Sequence, residues 1–575
     1  MRIGFKALAL CCGFTAMSAV ATEEAEPEAA TGFALQKMAS GTNTMAATAN
    51  PYATKAAAKI LARGGSAVDA AIAAQMMLTL TEPQSSGIGG GFFMVYWDAS
   101  KQQLVSLDGR ETAPMAAQPD LFMRGDKPMR FADAVVGGHS VGVPGVVAGM
   151  YAAHQRYGKL PWSTLFDDAI ALAQQGFIVS PRLAALLDRE FNPGLNRDGA
   201  AADYFAPEDE WLQAGDRRDN PELAATLTAI AEQGPVAFYQ GKLAKQIVAA
   251  VQQDPDHPGL LTEADLAAYQ PKWREPLCQP YRGKQVCGMG PPSSGAVAVG
   301  QILSLLEPFA IDKMAVNGDK FIHHYAQASR IAYADRAHYL ADPDFVEVPL
   351  AQLLNQDYLA KRSAEIPVAK DAGKVSHGEF NLGHGADATA ALPSTSHMVM
   401  ADKEGNLLSL TASIEMGFGS TVMVGGFLLN NELTDFSRHP GKGKQLAANR
   451  VEGGKRPRSS MAPTIVLDDN GQPLLALGSP GGSRIINYVS QVTLSLLDWQ
   501  LPLNQAVALP RVSHRNDYLL LEQGTELEQR KAAFELRGYK VKVAPLNSGV
   551  QVIKRTDNGW QGAADPRREG IAIGG

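Results

Sequence analysis

Leu392-Pro393-Ser394-Thr395-Ser396-His397-Met398-Val399-Met400-Ala401, continued by Asp402-Lys403-Glu404-Gly405-Asn406 and the run Leu407 to Ser413, is the stretch on which the reading of the chain turns. The apolar runs on either side of the Asp402 to Asn406 turn predict a strand hairpin. A β-branched hydroxyl residue stands where a loop gives way to its first strand. If the Ser394–Thr395 peptide bond were broken, Thr395 would carry both an Oγ and a free α-amine. Such an amine has a pKa of about 8, close enough to working pH to accept a proton from a neighbouring hydroxyl, so one residue would supply nucleophile and base. Taken alone, the motif more often describes a threonine bonded to its own turn.

Two segments farther out change that balance. Gly478-Ser479-Pro480-Gly481-Gly482-Ser483-Arg484 is a tight turn ahead of a helical pattern, and its bare amides can converge on a developing oxyanion. Arg110, in Asp108-Gly109-Arg110-Glu111-Thr112-Ala113-Pro114, is a fork suited to a carboxylate, although an isolated loop arginine is usually a surface charge. Upstream, Asn50 to Leu80 reads as a helical hairpin broken at Gly64-Gly65, with Ser66 and Asp69 forming a capping box. Ser85 to Gly91 then feeds the strand Phe92 to Trp97, and lacks the GK[ST] or GxGxxG frame of a phosphate loop. From about Pro144 to Ala369 the period is mostly helical, as in Val146 to Tyr157 and Phe321 to Leu340. Strand-like runs follow at Val424 to Leu429, Thr464 to Leu467 and Leu474 to Leu477. The simplest packing of this order is an α/β (α+β) arrangement of two helix-covered sheets, an αββα sandwich.

At 575 residues, 45% hydrophobic and 19% charged, the chain can bury a large core, and no linker or repeat divides it, which predicts one intertwined domain. Its net charge of −7 disfavours nucleic acid. Arg2 and Lys6, the apolar run Ala7 to Val20 and the small residues Ala19-Val20-Ala21 predict a signal peptide over 1–21 and a periplasmic or secreted product. The apolar run is too short for a membrane anchor, and too little sequence precedes Cys11 and Cys12 for a lipoprotein signal. Cys278 and Cys287 flank the turn Tyr281-Arg282-Gly283-Lys284 and read either as a disulfide or as two buried thiols. No metal-ligand spacing occurs, and no cofactor is called for. Gly138-His139-Ser140-Val141-Gly142 matches a nucleophile elbow, which keeps a serine hydrolase using Ser140 as a distant alternative.

The segments GGSAVDAAIAA, GIGGGFFMVY, DGRETAP, VGVPGVVAGM, LTEADLAAYQPKWREPL, PPSSG, TSHMVMADKEGN, GFLLNNELTDFS, KRPRSSMAPT and GSPGGSRII, in this order, resemble the gamma-glutamyltransferases, also called glutathione hydrolases, over nearly all of the mature chain. The resemblance implies an N-terminal nucleophile hydrolase fold and a proenzyme that cuts itself between Ser394 and Thr395. A large subunit (22–394) and a small subunit (395–575) would stay together as a heterodimer. It implies Thr395 as nucleophile, Ser413 as the hydroxyl orienting it, and Gly481 and Gly482 as oxyanion donors. Arg110, Ser459 and Ser460 would hold the α-carboxylate of a γ-glutamyl group, and Glu432 and Asp435 its α-ammonium. Donors would be glutathione and related γ-glutamyl compounds; acceptors would be water, amino acids or dipeptides. Two departures stand out. Glu415 replaces an asparagine usual in the family, and Phe436 to Lys455 is shorter than in relatives with a lid and holds no tyrosine. An uncovered site implies that hydrolysis outweighs transfer. A glutaryl acylase of the cephalosporin-acylase type is the alternative, against which Glu432 and Asp435 argue, because they would lack a cation.

Overall fold

Alternation along the strands places two seven-stranded sheets back to back in the computed structural model, which describes residues 38–188, 192–385, 387, 389, 394–443 and 445–575. The expected signal peptide, with Cys11 and Cys12, lies outside them. The first sheet uses β2 (Met45–Thr48), β3 (Gly91–Asp98), β4 (Gln103–Gly109), β5 (Lys272–Arg274), β8 (Ser396–Ala401), β9 (Leu407–Ser413) and β14 (Ile571–Gly574), in the order β14-β2-β8-β9-β3-β4-β5. The second uses β1 (Ala39–Gly41), β6 (Leu277–Tyr281), β7 (Lys284–Gly288), β10 (Thr464–Leu467), β11 (Pro473–Gly478), β12 (Gln551–Thr556) and β13 (Gly559–Ala564), in the order β1-β13-β12-β11-β10-β7-β6. Strands from both ends of the chain share each sheet, as one intertwined unit requires.

Period-two alternation separates the layers. Phe92, Met94 and Tyr96 of β3, with Met398 and Met400 of β8, pack beneath α1 (Pro51–Ala62), α2 (Ala67–Thr81) and α3 (Val146–Tyr157). Phe93, Val95, Trp97, Val399 and Ala401 point the other way, toward Val466, Ala476 and Ile553 of the second sheet. That sheet is covered in turn by α4 (Gly295–Leu306), α5 (Asp319–Tyr339) and α6 (Ile485–Leu497). The Ser66–Asp69 capping box forms as read, and Asp69 also accepts from the Lys159 and Leu160 amides. Cys278 and Cys287 sit directly opposite each other on β6 and β7 and are joined by a disulfide. The run Val424 to Leu429 departs from expectation. Gly425 and Gly426, at φ 58° and 78°, turn it back on itself, leaving only the two-residue pairs Met423–Val424 and Phe427–Leu428. Among the described residues no helix is long and apolar enough to cross a membrane.

The two sheets approach each other closely where β8 meets the end of β11. A Cβ at Gly478 would lie 2.2 Å from His397 Cε1. The ring is fully buried, bonded through Nδ1 to Thr411 Oγ1 at 2.8 Å, and desolvation pushes its pKa down to about 3, so it stays neutral. Gly478→Ala is therefore expected to force the ring or the strand aside, at about 1–3 kcal/mol, read as a lowered Tm with slower chain cleavage. An unchanged Tm would contradict this account of the contact.

Candidate active site

Register gathers the site at one end of the first sheet. Ser396 pairs with Ala412, so Thr395 comes level with Ser413 at the end of β9; Ser413 pairs with Gly91, and Phe92 pairs with Gly109. Arg110 follows directly after β4. The Gly89 to Gly91 backbone must pass close by, since a Cβ at Gly90 would lie 2.0 Å from Ser413 O. The second sheet contributes from the same end. Ser459 and Ser460 precede β10, and Gly481 and Gly482 follow β11. Asn430 fixes the 3₁₀ turn Glu432–Asp435 by accepting from the Glu432 and Gly142 amides and donating to Gly89 O and Gly142 O.

The Ser394–Thr395 bond is intact, and its carbonyl oxygen is gripped by two hydroxyls. Thr395 Oγ1 donates to Ser394 O at 2.5 Å and Ser413 Oγ donates to the same oxygen at 2.7 Å. Ser413 Oγ in turn accepts from the Glu415 amide at 2.8 Å, and stands 3.5 Å from Thr395 Oγ1. Ser394 Oγ is tied to Gln84 O at 2.5 Å, and Arg568 Nη1 donates to Thr395 O at 3.3 Å. Both donors to the Ser394 carbonyl polarise it, and one of them is the hydroxyl that would attack its carbon. Arg110, Thr395, Ser413, Glu415, Glu432, Asp435, Ser459, Ser460 and Gly482 all line one cavity of about 20 Å³ in the uncut chain. That is room for roughly one water. Gly481, at φ 128°, adjoins it; among the described residues neither Gly481 nor Gly482 spends its amide in a hydrogen bond.

Charge is unbalanced here. Arg110 donates to Glu432 and, at 2.6 Å, to Asp435, with Glu111 at 3.9 Å and the Pro457 and Arg458 carbonyls completing its partners. Burial works against its charge, but these carboxylates outweigh burial and keep it ionised. Glu415, on the same cavity, is held by Asn431 Nδ2 at 2.8 Å. One guanidinium thus faces three buried carboxylates, with Glu415 on the same cavity. Desolvation first, then mutual repulsion, raises the Glu432 carboxyl well above the usual range, and desolvation raises Glu111 to about 7 despite Arg110. The pair accordingly retains a proton below neutral pH. The Ser459 and Ser460 hydroxyls act only as acceptors among the described residues, from the Met461 amide and from Arg336, so each keeps its own proton to donate. Glu415 also occupies φ 77°, a region that asparagine tolerates better than glutamate.

The candidate residues from the sequence therefore converge, with one difference: in the uncut chain Arg110 is engaged by the carboxylates expected to meet an ammonium. Ser140 does not join them. It is fully buried, and its hydroxyl donates to Val135 O and Gly137 O at 2.8 and 2.9 Å. Glu111, Arg336 and Arg568 were not singled out from sequence. Glu111 lay inside the quoted DGRETAP segment, and Arg336 stood on a helix whose period gave no sign that both faces are buried. Among the described residues no cluster is arranged to hold a metal ion.

A hydroxyl residue at the head of a central strand in an αββα sandwich, with its own upstream carbonyl held against it, defines an N-terminal nucleophile hydrolase. The gamma-glutamyltranspeptidase family model matches residues 53–575, and the chain belongs to that family. It is 38% identical to a glutathione hydrolase proenzyme of Bacillus subtilis strain 168, over 93% of this chain and 92% of the relative. It is also 35% identical to the acylase ACY 1 proenzyme of Pseudomonas sp. strain SE83, over 94% and 95%. The crystal structure of a cephalosporin acylase from Bacillus halodurans superposes with a TM-score of 0.82 at 28% identity, over 94% of this chain and 97% of that one.

If Ser413 polarises the Ser394 carbonyl during cleavage, Ser413→Ala should slow conversion of the purified precursor into two fragments by about 10²-fold. Ser413→Thr should restore most of the rate, followed as a gel time course. Equal rates for all three proteins would remove Ser413 from the cleavage step.

Proposed function

We propose that this protein is an exported γ-glutamyltransferase and glutathione hydrolase that matures by its own cleavage. Thr395 Oγ attacks the Ser394 carbonyl carbon, the peptide C–N bond breaks, and the nitrogen takes the hydroxyl proton. The resulting ester is hydrolysed by water, freeing Ser394 as a carboxylate and Thr395 as hydroxyl plus α-amine. The products are the large subunit, from about residue 22 to Ser394, and the small subunit 395–575, associated as a pair. In turnover, Thr395 Oγ attacks the γ-amide carbon of the donor while its own α-amine takes the hydroxyl proton and passes it to the leaving nitrogen. The γ-glutamyl ester is then released to water or to the amine of an acceptor. In turnover the Gly481 and Gly482 amides would donate to the oxyanion of each tetrahedral step.

The observation that carries the donor class is the surplus of carboxylates. Glu111, Glu432 and Asp435 surround the Arg110 guanidinium, with Glu415 on the same cavity, and the cation that restores balance is an α-ammonium. Its arrival lets Arg110 exchange a carboxylate of the protein for that of the substrate, to which Ser459 and Ser460 also donate. A glutaryl group has the carboxylate without the ammonium and would leave the acids uncompensated. This favours the γ-glutamyl reading although the acylase relatives match over equal lengths. The short segment 436–455 leaves little to cover the site, and supports hydrolysis over transfer.

With the matured protein, γ-glutamyl-4-nitroanilide is expected to be cleaved and glutaryl-4-nitroanilide to be poor. Asp435→Asn should cut kcat/KM for the former by about 10- to 100-fold, chiefly through KM, and glycylglycine should change the release rate little. Preference for the glutaryl anilide would turn the assignment to the acylases; a many-fold rise with glycylglycine would make transfer the main reaction.

A further inference from the structure

Beside the nucleophile's cavity lies a larger one of about 730 Å³, walled by α5, the loop 374–377, Arg458, Ser483 and the segment 515–517. The two share a boundary. Arg336 lines the larger cavity and donates through Nη2 to Ser460 Oγ at 2.6 Å. Arg458 presents its side chain to the larger cavity, while its carbonyl accepts from Arg110 at 3.3 Å. Ser483, which follows the oxyanion glycines, accepts from Arg515 Nη1 at 2.5 Å. Four cationic side chains, Arg336, Lys374, Arg458 and Arg515, line this space against two acids, Asp387 and Asp517.

Arg336 is the anomaly among them. It is 7% exposed, and its Nε and Nη2 reach only neutral hydroxyls, of Ser294 and Ser460. Among the described residues no carboxylate lies within ion-pair distance of it, and its Nη1 has no hydrogen-bond partner. Other deeply buried arginines do have such partners: Arg110 with Glu432, Arg330 with Asp371, Arg511 with Asp565 and Arg567 with Glu522. Desolvation and the neighbouring Arg458 pull the Arg336 pKa down to about 9, so it remains a cation at neutral pH. A buried cation that has no carboxylate at ion-pair distance, with only the more distant carboxylates of Asp387 and Asp435 in its favour, is costly beside a cavity unless an anion completes it. Arg458 shows that this wall accepts one, since it holds Asp387 Oδ2 at 2.5 Å, from a residue upstream of the cleaved bond.

We propose that this cavity is the subsite for the part of the donor beyond the scissile amide, and that Arg336 takes a carboxylate there. Donors whose leaving amine bears an acid, such as a peptide ending in a free carboxylate or a further glutamate, are preferred over those with neutral leaving amines. The inference rests on the γ-glutamyl reading but fails separately from it. With matured wild-type protein at low ionic strength, kcat/KM for γ-glutamyl-3-carboxy-4-nitroanilide is expected to exceed that for γ-glutamyl-4-nitroanilide by about tenfold, and added NaCl should shrink the ratio. The headgroups are identical, so losses transmitted through Ser460 cancel in the ratio. Arg336→Met should bring it near the high-salt value, and Arg336→Lys should keep much of it. A ratio that ignores salt in the wild type, or that is the same in Arg336→Lys and Arg336→Met, overturns the proposal. If Arg336→Met does not mature, the wild-type salt dependence decides. Release of neither anilide by the matured wild type would instead overturn the γ-glutamyl reading itself.

Discussion

Everything distinctive in this molecule is arranged around one carbonyl oxygen, that of Ser394, held at hydrogen-bond distance by the hydroxyls of Thr395 and Ser413. Holding it needs Thr395 level with Ser413, which the antiparallel pairing of β8 with β9 supplies. It also needs the Ser413–Glu415 backbone to turn sharply, with the Glu415 amide directed back at Ser413 Oγ and Glu415 itself at positive φ. Left-handed backbone at a glutamate is unfavourable. It persists because Asn431 secures both the Glu415 carboxylate and the Met416 amide.

The second organising feature is electrostatic. Burying three carboxylates around one arginine disfavours their full ionisation, and desolvation accordingly raises the pKa of Glu111 and of Glu432. On the function proposed above, a substrate ammonium would supply the missing charge, which would link ligand binding to local stability. The same logic, with sign reversed, applies at Arg336, where a buried cation lacks its anion. Adjacent sites of opposite surplus suit a donor that is zwitterionic at one end and anionic at the other.

Much of this was legible in the sequence. The hairpin Ser396–Ser413, the capping box at Ser66, the strand after the glycine run and the hairpin that carries Cys278 and Cys287 follow from period, turn residues and caps, which are local. The residues around Thr395 were legible through the resemblance, because separate segments had to be brought together from across the chain. What stayed hidden depended on tertiary environment. Glu111 looks like an ordinary loop acid until Gly91 and Arg110 enclose it. The amphipathic period of α5 conceals that both of its faces are buried, and so conceals the isolation of Arg336. The run 424–429 misled because its apolar residues outweighed the two glycines that fold it back. The Ser140 motif misled in the opposite way: its spacing is right, but its hydroxyl is spent on two carbonyls.

The central claim is that Thr395 cuts its own chain and then serves as the nucleophile. The most direct test is a denaturing gel with intact masses of purified wild type beside Thr395→Ala. The account predicts fragments of about 40 and 20 kDa from the wild type, the smaller beginning at Thr395, and a single uncut chain from the variant. An uncut wild type, or a variant that is cut at the same bond, would contradict it.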